Sequence, residues 1–464
     1  MPSPSSAAGP PRMSVFQAPR ALIDWSVNQF ITVPGRSAPL TFRAVPTASR
    51  RTRVAQIAAA VLVLAVVGVG AYLAITALTG DGVGGPAPQV AGEGQEPETA
   101  EELGFPAFAT KNTTRVGGED PTADAAGVAL ATFPSAGGVD HAAAVTLVPS
   151  SDWAAGIAAS VLAADPSRTP LLLGESGEVP EETETAIEAL DPEGSPETAR
   201  AQLFRIGDVR APEGLRAIDV AGGDPAKIAD GVDRLRQRLT DQEPQHVLLA
   251  STEDPAFAMP AAAWAARSGD PVLFVERNSV PGSTIEALKR HEKAPVFLLG
   301  PDTVASEKVL KQVENVAPAV QRISAKDPVS SAIAFARYDA GSFGWNITDP
   351  GHGLVIASAS RPLDAAAASP LSASGKWGPL LLTETADVVP TPLRGFLLDI
   401  KPGYRIDPTR AFYNHAWLIG DDTALSVAFQ AQIDEVLELV RIETGLPAGE
   451  PRGGAPESEP KLKP

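Results

Sequence analysis

The chain has 464 residues, no cysteine and a formal net charge of −18 at pH 7, and 44% of its residues are hydrophobic. The absence of cysteine excludes a disulfide framework, a thiolate metal site and a cysteine nucleophile. The acidic balance argues against nucleic acid as a partner, because phosphate binding requires clustered Lys and Arg and no such cluster occurs beyond residue 53.

The N-terminal part of the chain predicts one transmembrane helix from Val54 to Gly80. This stretch contains no charged side chain, and about 20 predominantly apolar residues are enough to span a bilayer. The alternative is a signal peptide, but the apolar region of a signal peptide has about 7–15 residues and lies nearer the start of the chain. The membrane is therefore the first partner that the sequence predicts.

The charges on either side of this helix predict its orientation. Residues 1–53 carry seven Arg and one acid, whereas residues 81–102 carry six acids and neither Lys nor Arg. Because positive residues stay on the cytoplasmic side, we expect a single-pass protein of the cell membrane with a cytoplasmic N-terminus. Subtracting the net +6 of residues 1–53 from −18 leaves −24 for the extracytoplasmic remainder.

Three segments have a composition that is typical of polypeptide without a hydrophobic core. Residues 1–53 are predicted to be cytoplasmic, mostly disordered and able to bind a cytoplasmic partner. Residues 81–103 form an acidic Pro/Gly linker that extends by self-repulsion, and residues 446–464 form a disordered tail.

The rest of the chain repeats one pattern three times, with a period of about one hundred residues, whereas solenoid repeats have roughly 20–50. Each copy opens on Asp-Pro, continues with a Pro-led apolar run and Val-Pro, and closes on an apolar strand that ends in Gly. The openings are Asp120-Pro121, Asp224-Pro225 and Asp327-Pro328, and the closing residues are Gly207, Gly300 and Gly420. We therefore predict three modules, at 104–213, 214–318 and 319–445.

The second copy shows how a module is predicted to fold. A short strand, Ile218 to Ala221, precedes Asp224-Pro225, and Asp and Pro are the preferred N-cap and first residue of a helix. The apolar runs His246 to Ala250, Pro271 to Val275 and Pro295 to Gly300 then alternate with helical patterns, which favours a parallel sheet covered on both faces. An Ala-rich helix after the second strand of each copy predicts close packing within or between modules. The predicted fold class is α/β: three tandem Rossmann-like or Toprim-like modules with parallel sheets, preceded by one transmembrane helix.

Enzyme signatures are few. The five His residues form no metal-type pair, and there is neither a Walker-type loop nor a Gly-x-Ser-x-Gly elbow. Asp152, Asp254 and Asp364 follow the second strand of each module, at the edge where α/β folds place ligands. Their threefold recurrence favours a shared helix cap over catalysis. We expect no enzyme activity, no catalytic residue, no metal and no cofactor.

The order of these motifs resembles the cell-wall-binding repeat type 2 family. The stretches that carry the resemblance run from Asn112 to Asp120, from Val355 to Ala367 and from Pro379 to Thr383, and the likeness covers about Asn112 to Val440. It implies three modules in a trimer-like ring that hold a surface protein to an anionic secondary polymer of the cell wall.

The resemblance also implies polymer-binding residues, on an apolar strand and at an Arg that precedes the opening Asp. The strand residues are Leu171, Leu172, Leu173, Val272, Leu273, Phe274, Leu380, Leu381 and Leu382. The alternative for them is core packing, the usual place of such residues in a central strand. The Arg is present as Arg115 and Arg322, but the second copy has Asp219, and all three copies have Pro where the family has another Arg. Tyr404, Tyr413 and Trp417, in a longer connection of the third copy, either stack on sugars or pack into the module.

We therefore predict a non-enzymatic protein of the Gram-positive envelope whose repeats bind a secondary wall polymer or peptidoglycan, or tether membrane to wall. The alternative is an extracytoplasmic ligand sensor or a scaffold for envelope proteins that signals through the N-terminal segment. A degenerate wall hydrolase is the third hypothesis.

Overall fold

The computed structural model describes residues 107–133, 141–373 and 377–442. The transmembrane helix predicted for Val54 to Gly80 lies outside these ranges, as do residues 1–53, the linker 81–103 and the tail 446–464. Within the three described ranges, no helix combines the length and the apolar character needed to cross a membrane. The predicted limits of the three modules stay a prediction.

The first sheet contains four parallel strands in the order β4-β3-β5-β6. Its strands are β3 (Val145–Pro149), β4 (Leu171–Gly174), β5 (Leu203–Ile206) and β6 (Ala217–Val220). The helices of this region are α1 (Pro121–Thr132), α2 (Trp153–Ala159), which continues as a 3₁₀ turn (Ser160–Ala163), and α3 (Glu181–Leu190).

The second sheet repeats this order as β8-β7-β9-β10, again all parallel. Its strands are β7 (Val247–Ser251), β8 (Val272–Val275), β9 (Val296–Leu299) and β10 (Val320–Ile323). The accompanying helices are α4 (Pro225–Thr240), α5 (Pro255–Ala258), α6 (Pro260–Ser268), α7 (Gly282–Arg290) and α8 (Glu307–Glu314).

The third sheet has the order β12-β11-β14-β2-β1, in which only the edge strand β1 is antiparallel. Its strands are β1 (Ala107–Ala109), β2 (Thr113–Val116), β11 (Gly353–Ser358), β12 (Trp377–Thr383) and β14 (His415–Ile419). A separate parallel pair is formed by β13 (Gly403–Tyr404) and β15 (Val440–Arg441). The helices are α9 (Pro328–Arg337), α10 (Pro362–Ala367), α11 (Ser369–Ala373), α12 (Thr391–Asp399) and α13 (Val427–Leu437), with a 3₁₀ turn at Pro408–Arg410.

The strand that opens each repeat lies in the sheet of the preceding repeat. β6 opens the second repeat and pairs with β5, and β10 opens the third and pairs with β9. β2 opens the first repeat and pairs with β14 of the third, nearly three hundred residues along the chain. The helix after each opening strand packs on its own repeat instead, α1 against β4, α4 against β8 and α9 against β12. Three sheets are thereby linked in a closed cycle within one chain.

The Ala-rich helices meet where the three repeats come together. α6 packs against α11 and against the 3₁₀ turn at Ser160–Ala163, and α2 packs against α10. A Cβ placed on Gly156 of α2 would lie only 2.9 Å from the Cβ of Ala366 in α10. Small side chains are thus required for the helices to approach, and the predicted close packing between modules is confirmed.

The predicted helix starts at Asp-Pro and the predicted continuous apolar strands are also confirmed. Asp120 accepts hydrogen bonds from the amides of Thr122 and Ala123, Asp224 from that of Lys227, and Asp327 from that of Ser330, so each Asp-Pro caps a helix. Helices cover both faces of the parallel sheets, so the residues of the continuous apolar strands are buried.

Candidate functional site

The structure places the nine apolar residues implied as polymer contacts in the hydrophobic core. Each side chain is between 0% and 1% exposed. They lie on β4, β8 and β12, strands whose inner neighbours are equally buried. These side chains stabilise the sheets and, in this conformation, are not accessible to a polymer. Contact between them and wall polymer stays a prediction.

Arg115 is fully buried and bridges the first and third repeats. Its Nε donates to Oε1 of Gln430 at 3.0 Å, and its Nη1 donates to the carbonyl oxygens of Gly420 and Asp421, both at 2.7 Å. Burial lowers the pKa of Arg115 to about 10. With its donors directed at protein oxygens, the guanidinium joins β2 to the chain that follows β14.

Arg322 makes a weaker version of the same contact. Its Nη1 donates to the carbonyl oxygen of Gly300 at 3.0 Å, and Nη2 lies 3.1 Å from Oε1 of Glu307. Gly300 and Gly420 both end the closing strand of a repeat, so Arg115 and Arg322 connect an opening strand to the strand beside it. In the second copy the opening strand carries the acid and the neighbouring strand carries the Arg. Asp219 accepts hydrogen bonds from Arg205 at 2.7–2.8 Å.

Of the three Asp residues predicted to cap a helix, two do so and one does not. Asp152 accepts from the amide of Ala155 at 2.9 Å, and Asp254 from the amide of Ala256 at 3.0 Å. The prediction is wrong for Asp364, which lies inside α10, while Arg361 occupies the cap position. The third copy has Arg-Pro where the second has Asp-Pro, so sequence spacing aligned Asp364 with the wrong position.

Asp364 instead forms a buried charged cluster with Asp124 of α1 and Arg361. Both carboxylates are fully buried, and the side chain of Arg361 is 15% exposed. Nε of Arg361 lies 2.9 Å from Oδ2 of Asp364 as an ion pair without hydrogen-bond alignment, and its Nη2 contacts Oδ2 of Asp124. The amide of Gly118 also donates to Asp124, at 2.8 Å.

One guanidinium does not offset the burial of two carboxylates. Burial raises the pKa of Asp364 to about 7, against the opposing effect of Arg361. The pKa of Asp124 is raised well above its usual range, first by burial and then by the charge of Asp364. The geometry therefore suits a pair that retains a proton near neutral pH. Nothing in the sequence pattern indicated it, because Asp124 and Asp364 belong to different repeats.

A cleft of about 440 Å³ opens at the carboxyl ends of the strands of the first sheet. The polar residues that line it are Ser150, Ser151, Asp152, Glu175, Ser176 and Asp208, together with Gly207, Gly222 and Gly223. The lining has three carboxylates and neither Lys nor Arg. This composition suits a hydroxyl-rich or cationic ligand better than an anion, because like charges repel at short range.

The aromatic residues of the third repeat divide into two groups. Trp417 lies on β14 and packs edge-on against Trp377, with ring centroids 5.4 Å apart. Tyr413 is 51% exposed, and its hydroxyl donates to the carbonyl oxygen of Pro408 at 2.8 Å. Sequence reasoning missed two neighbours that are more exposed still, Phe412 at 72% and Ile406 at 93%.

Within the described part of the chain, no three His, Asp or Glu side chains are arranged to hold a metal ion.

Comparison with known proteins finds likeness only among solved structures. No family model matches the chain, and no curated protein matches it. The fold is similar to that of Cwp6 from Clostridium difficile, with 16% sequence identity and a TM-score of 0.55, over 70% of this chain and 48% of Cwp6. It is also similar to that of Cwp8 from the same organism, with 18% identity and a TM-score of 0.54, over 70% of this chain and 52% of Cwp8.

These two likenesses define a class of fold. The chain spans about half the length of each of the two proteins. What it shares with them is an α/β architecture with several parallel sheets.

Proposed function

We propose that this chain is a non-enzymatic protein of the cell envelope whose three repeats bind a wall polymer or tether the membrane to the wall. The observation that carries the proposal is the fold, three α/β repeats closed into one cycle, since the similar structures are cell wall proteins of Clostridium difficile. The motif order of the sequence supports the same class of protein independently of the fold.

The proposed location is the cell membrane, with the repeats outside. Support comes from the apolar stretch Val54 to Gly80 and from the contrast between seven Arg before it and six acids after it. A membrane anchor and a wall-binding ectodomain in one chain would join the two layers. The cytoplasmic partner of residues 1–53 is part of the same proposal.

The polymer contact belongs on the surface of the repeats, since the implied apolar strand residues and Arg115 are buried. The part of the chain beyond residue 80 has a net charge of −24, so an anionic polymer would need a local basic surface. The acidic cleft of the first sheet suits neutral or cationic groups of the wall, such as the amines and hydroxyls of peptidoglycan.

Co-sedimentation of the soluble ectodomain, residues 104–464, with purified wall sacculi tests the proposal. One half of the sacculi is treated with mild acid, which removes secondary polymers and leaves peptidoglycan. Binding that is lost on treatment identifies a secondary polymer as the ligand, and binding that survives identifies peptidoglycan. Absence of binding to both preparations would contradict a role at the wall.

A ligand sensor is the second candidate, and the cleft at the carboxyl ends of β3 to β6 favours it. A ligand that binds only the folded state raises the unfolding temperature. Thermal unfolding of the ectodomain with soluble wall fragments, such as muropeptides, tests this function. The matched control is a Ser151→Trp variant, which should fill the cleft and abolish the shift while leaving the unfolding temperature without ligand nearly unchanged. A shift that persists in this variant would exclude the cleft as the site.

A further inference from the structure

Among the described residues, every large apolar side chain that is strongly exposed belongs to the third repeat. Ile406 and Phe412 are the most exposed. Ile442, at 48%, lies against the strand that precedes Ile406, because a Cβ placed on Gly403 of β13 would meet its side chain at 2.8 Å. In the described parts of the first two repeats, the large apolar residues are buried or half-buried. Such an apolar surface on one side of one repeat marks an interaction site more often than chance exposure does.

Three arginines surround these apolar residues. Arg405, Arg410 and Arg441 are all exposed, and their guanidinium groups take part in none of the ion pairs formed among the described residues. Pairing of β13 with β15 places Arg441 opposite Tyr404, next to Arg405. We call Arg405, Ile406, Arg410, Phe412, Arg441 and Ile442 the basic–apolar patch. Its three Arg belong to the part of the chain beyond residue 80, which has a net charge of −24, and Asp407 is the one acid among residues 403–413.

Side-chain hydrogen bonds order the segment that carries Ile406, Arg410 and Phe412. Tyr413 ties the segment to Pro408, and Asp407 accepts hydrogen bonds from the amide and hydroxyl of Thr409, at 3.0 and 2.7 Å. Phe412 packs on Gly351, where a Cβ would lie only 3.3 Å from the ring. Side chains that are ordered before binding lose less conformational freedom when a partner arrives.

The chemistry of the patch fits a lipid surface better than a polysaccharide. Sugars stack on flat aromatic faces, but the most exposed member is the aliphatic Ile406, joined by Ile442. Aliphatic and aromatic side chains both enter the boundary between lipid headgroups and acyl chains, and Arg binds anionic headgroups beside them. The combination of exposed apolar tips and unpaired guanidinium groups is that of an interfacial membrane contact.

The chain outside the described residues brings a membrane within reach. Residues 81–106 connect the predicted helix at Val54 to Gly80 with β1, and extended chain spans at most about 3.3–3.6 Å per residue. Because β1 runs antiparallel to β2, the connection leaves at the carboxyl end of the third sheet, whereas Phe412 precedes its amino end. A five-residue strand is only about 17 Å long. The connection is longer than that, so it can place the membrane at either end of the sheet.

We propose that the basic–apolar patch docks on anionic phospholipid headgroups and holds the third repeat against the bilayer. The proposal rests on the membrane anchor of the proposed function. Tethering gives the patch a high effective concentration of lipid, so a contact that is weak by itself becomes occupied. The ectodomain would then have a defined face toward the membrane and leave the first two repeats free for the wall.

Labelling at single cysteines tests the proposal, since the chain has none of its own. The full chain carrying Thr409→Cys is reconstituted in vesicles, labelled with a fluorophore and quenched by lipids brominated near the headgroup. Lys308→Cys in α8, exposed on the second repeat, is the matched control. We expect at least threefold stronger quenching at residue 409 in vesicles with phosphatidylglycerol than in vesicles of phosphatidylcholine, and no difference at residue 308.

Two variants separate the contributions of charge and apolar contact. Arg405→Glu with Arg410→Glu should remove the dependence on phosphatidylglycerol, and Ile406→Ser with Phe412→Ser should reduce quenching in both vesicles. Equal quenching at residues 409 and 308 would overturn the proposal. So would protection of residue 409 by sacculi but not by lipid, which would assign the patch to a wall polymer. Wall binding in the co-sedimentation assay is measured separately, so failure of one proposal leaves the other standing.

Discussion

The three seams between repeats use the same elements but different chemistry. At each seam, the helix that begins at Asp-Pro packs against the helix after the second strand of the preceding repeat, as α4 does on α2, α9 on α5 and α1 on α10. The fourth residue after the capping Asp is Ile228 at the first seam, Ser331 at the second and Asp124 at the third. Ile228 is simply buried, and Ser331 bonds to the backbone of Ala325, whereas Asp124 joins the charged cluster with Arg361 and Asp364.

We call the contact between the third and first repeats the closing seam. It joins the segments that are farthest apart in the sequence, so its formation restricts the longest loop. It also holds the buried Arg115. The closing seam therefore holds fully buried charged side chains, Arg115, Asp124 and Asp364. The second seam uses the partly buried Arg322 instead, and the first pairs Arg205 with Asp219.

The largest expected effect comes from Arg115→Met, which removes the donors that serve Gln430, Gly420 and Asp421. Leaving buried acceptors without partners costs about 1–3 kcal/mol for each group. We expect the free energy of unfolding to fall by about 3–5 kcal/mol, measured by urea denaturation of the ectodomain. Arg322→Met, at the counterpart that is 15% exposed and donates to one carbonyl oxygen, should cost less, about 1 kcal/mol. Equal losses in the two variants would contradict a special role for the closing seam.

The second effect concerns the cation of the charged cluster. Arg361→Met leaves Asp124 and Asp364 buried without a counter-ion, and breaking such a cluster costs about 3–5 kcal/mol when the remaining charge cannot be relieved. Protonation relieves part of it here, so we expect a loss of about 2–4 kcal/mol at pH 8 and a smaller loss at pH 5. Adding Asp124→Asn and Asp364→Asn to the variant should restore most of the stability. A loss that persists in the triple variant would assign the effect to packing.

The third effect is a pH dependence that the closing seam should confer on stability. The folded state retains a proton on Asp364 up to a pKa of about 7, whereas the unfolded chain releases it near the ordinary value of 3.8. Because the folded state binds more protons between these values, the contribution of this seam is complete at low pH and is lost as the pH rises through about 7. Each unit of pKa shift corresponds to about 1.4 kcal/mol.

Urea denaturation between pH 5 and 8 measures this dependence. Asp364→Asn should flatten the profile, while Asp254→Asn, which changes only a helix cap, should shift it without changing its slope. The other charged groups near the pair are Arg361, Asp421, Asp120 and Arg115. A wild-type stability that rises from pH 5 to 8 and an unchanged slope in Asp364→Asn would contradict the shared proton.

The smallest effect concerns the packing of the Ala-rich helices. Gly156→Ala places a Cβ 2.9 Å from that of Ala366 and should destabilise the protein by about 1–3 kcal/mol, since overpacked cores must shift. Gly395→Ala is the control, because a Cβ there meets no atom within 4 Å in the exposed part of α12. It should raise the free energy of unfolding by about 0.5–1 kcal/mol. Thermal unfolding compares the two, and a stabilising Gly156→Ala would show that the helices can separate without cost.

Much of the fold was predictable because its signals are local. Asp-Pro marked the starts of α1, α4 and α9, and the apolar runs of the second copy marked β7, β8 and β9 to within two residues. The predicted helix cap at Asp364 was wrong for a local reason as well, since the third repeat has Arg361 where the capping Asp was expected. The candidate site was harder, because the side chains of Arg115, Asp124 and Asp364 acquire their roles only from partners in another repeat.

The amino-acid sequence by itself determined the order of helices and strands, the threefold repeat and the positions of the helix caps. Each of these depends on residues within a few positions of one another, through backbone capping and the alternation of apolar and polar side chains. The tertiary structure alone decided that every opening strand joins the preceding sheet, that Arg115 is buried and that Asp364 meets Asp124. The contacts of Arg115 and Asp124 with the third repeat join residues more than two hundred positions apart, where burial and charge are set by packing that no local pattern records.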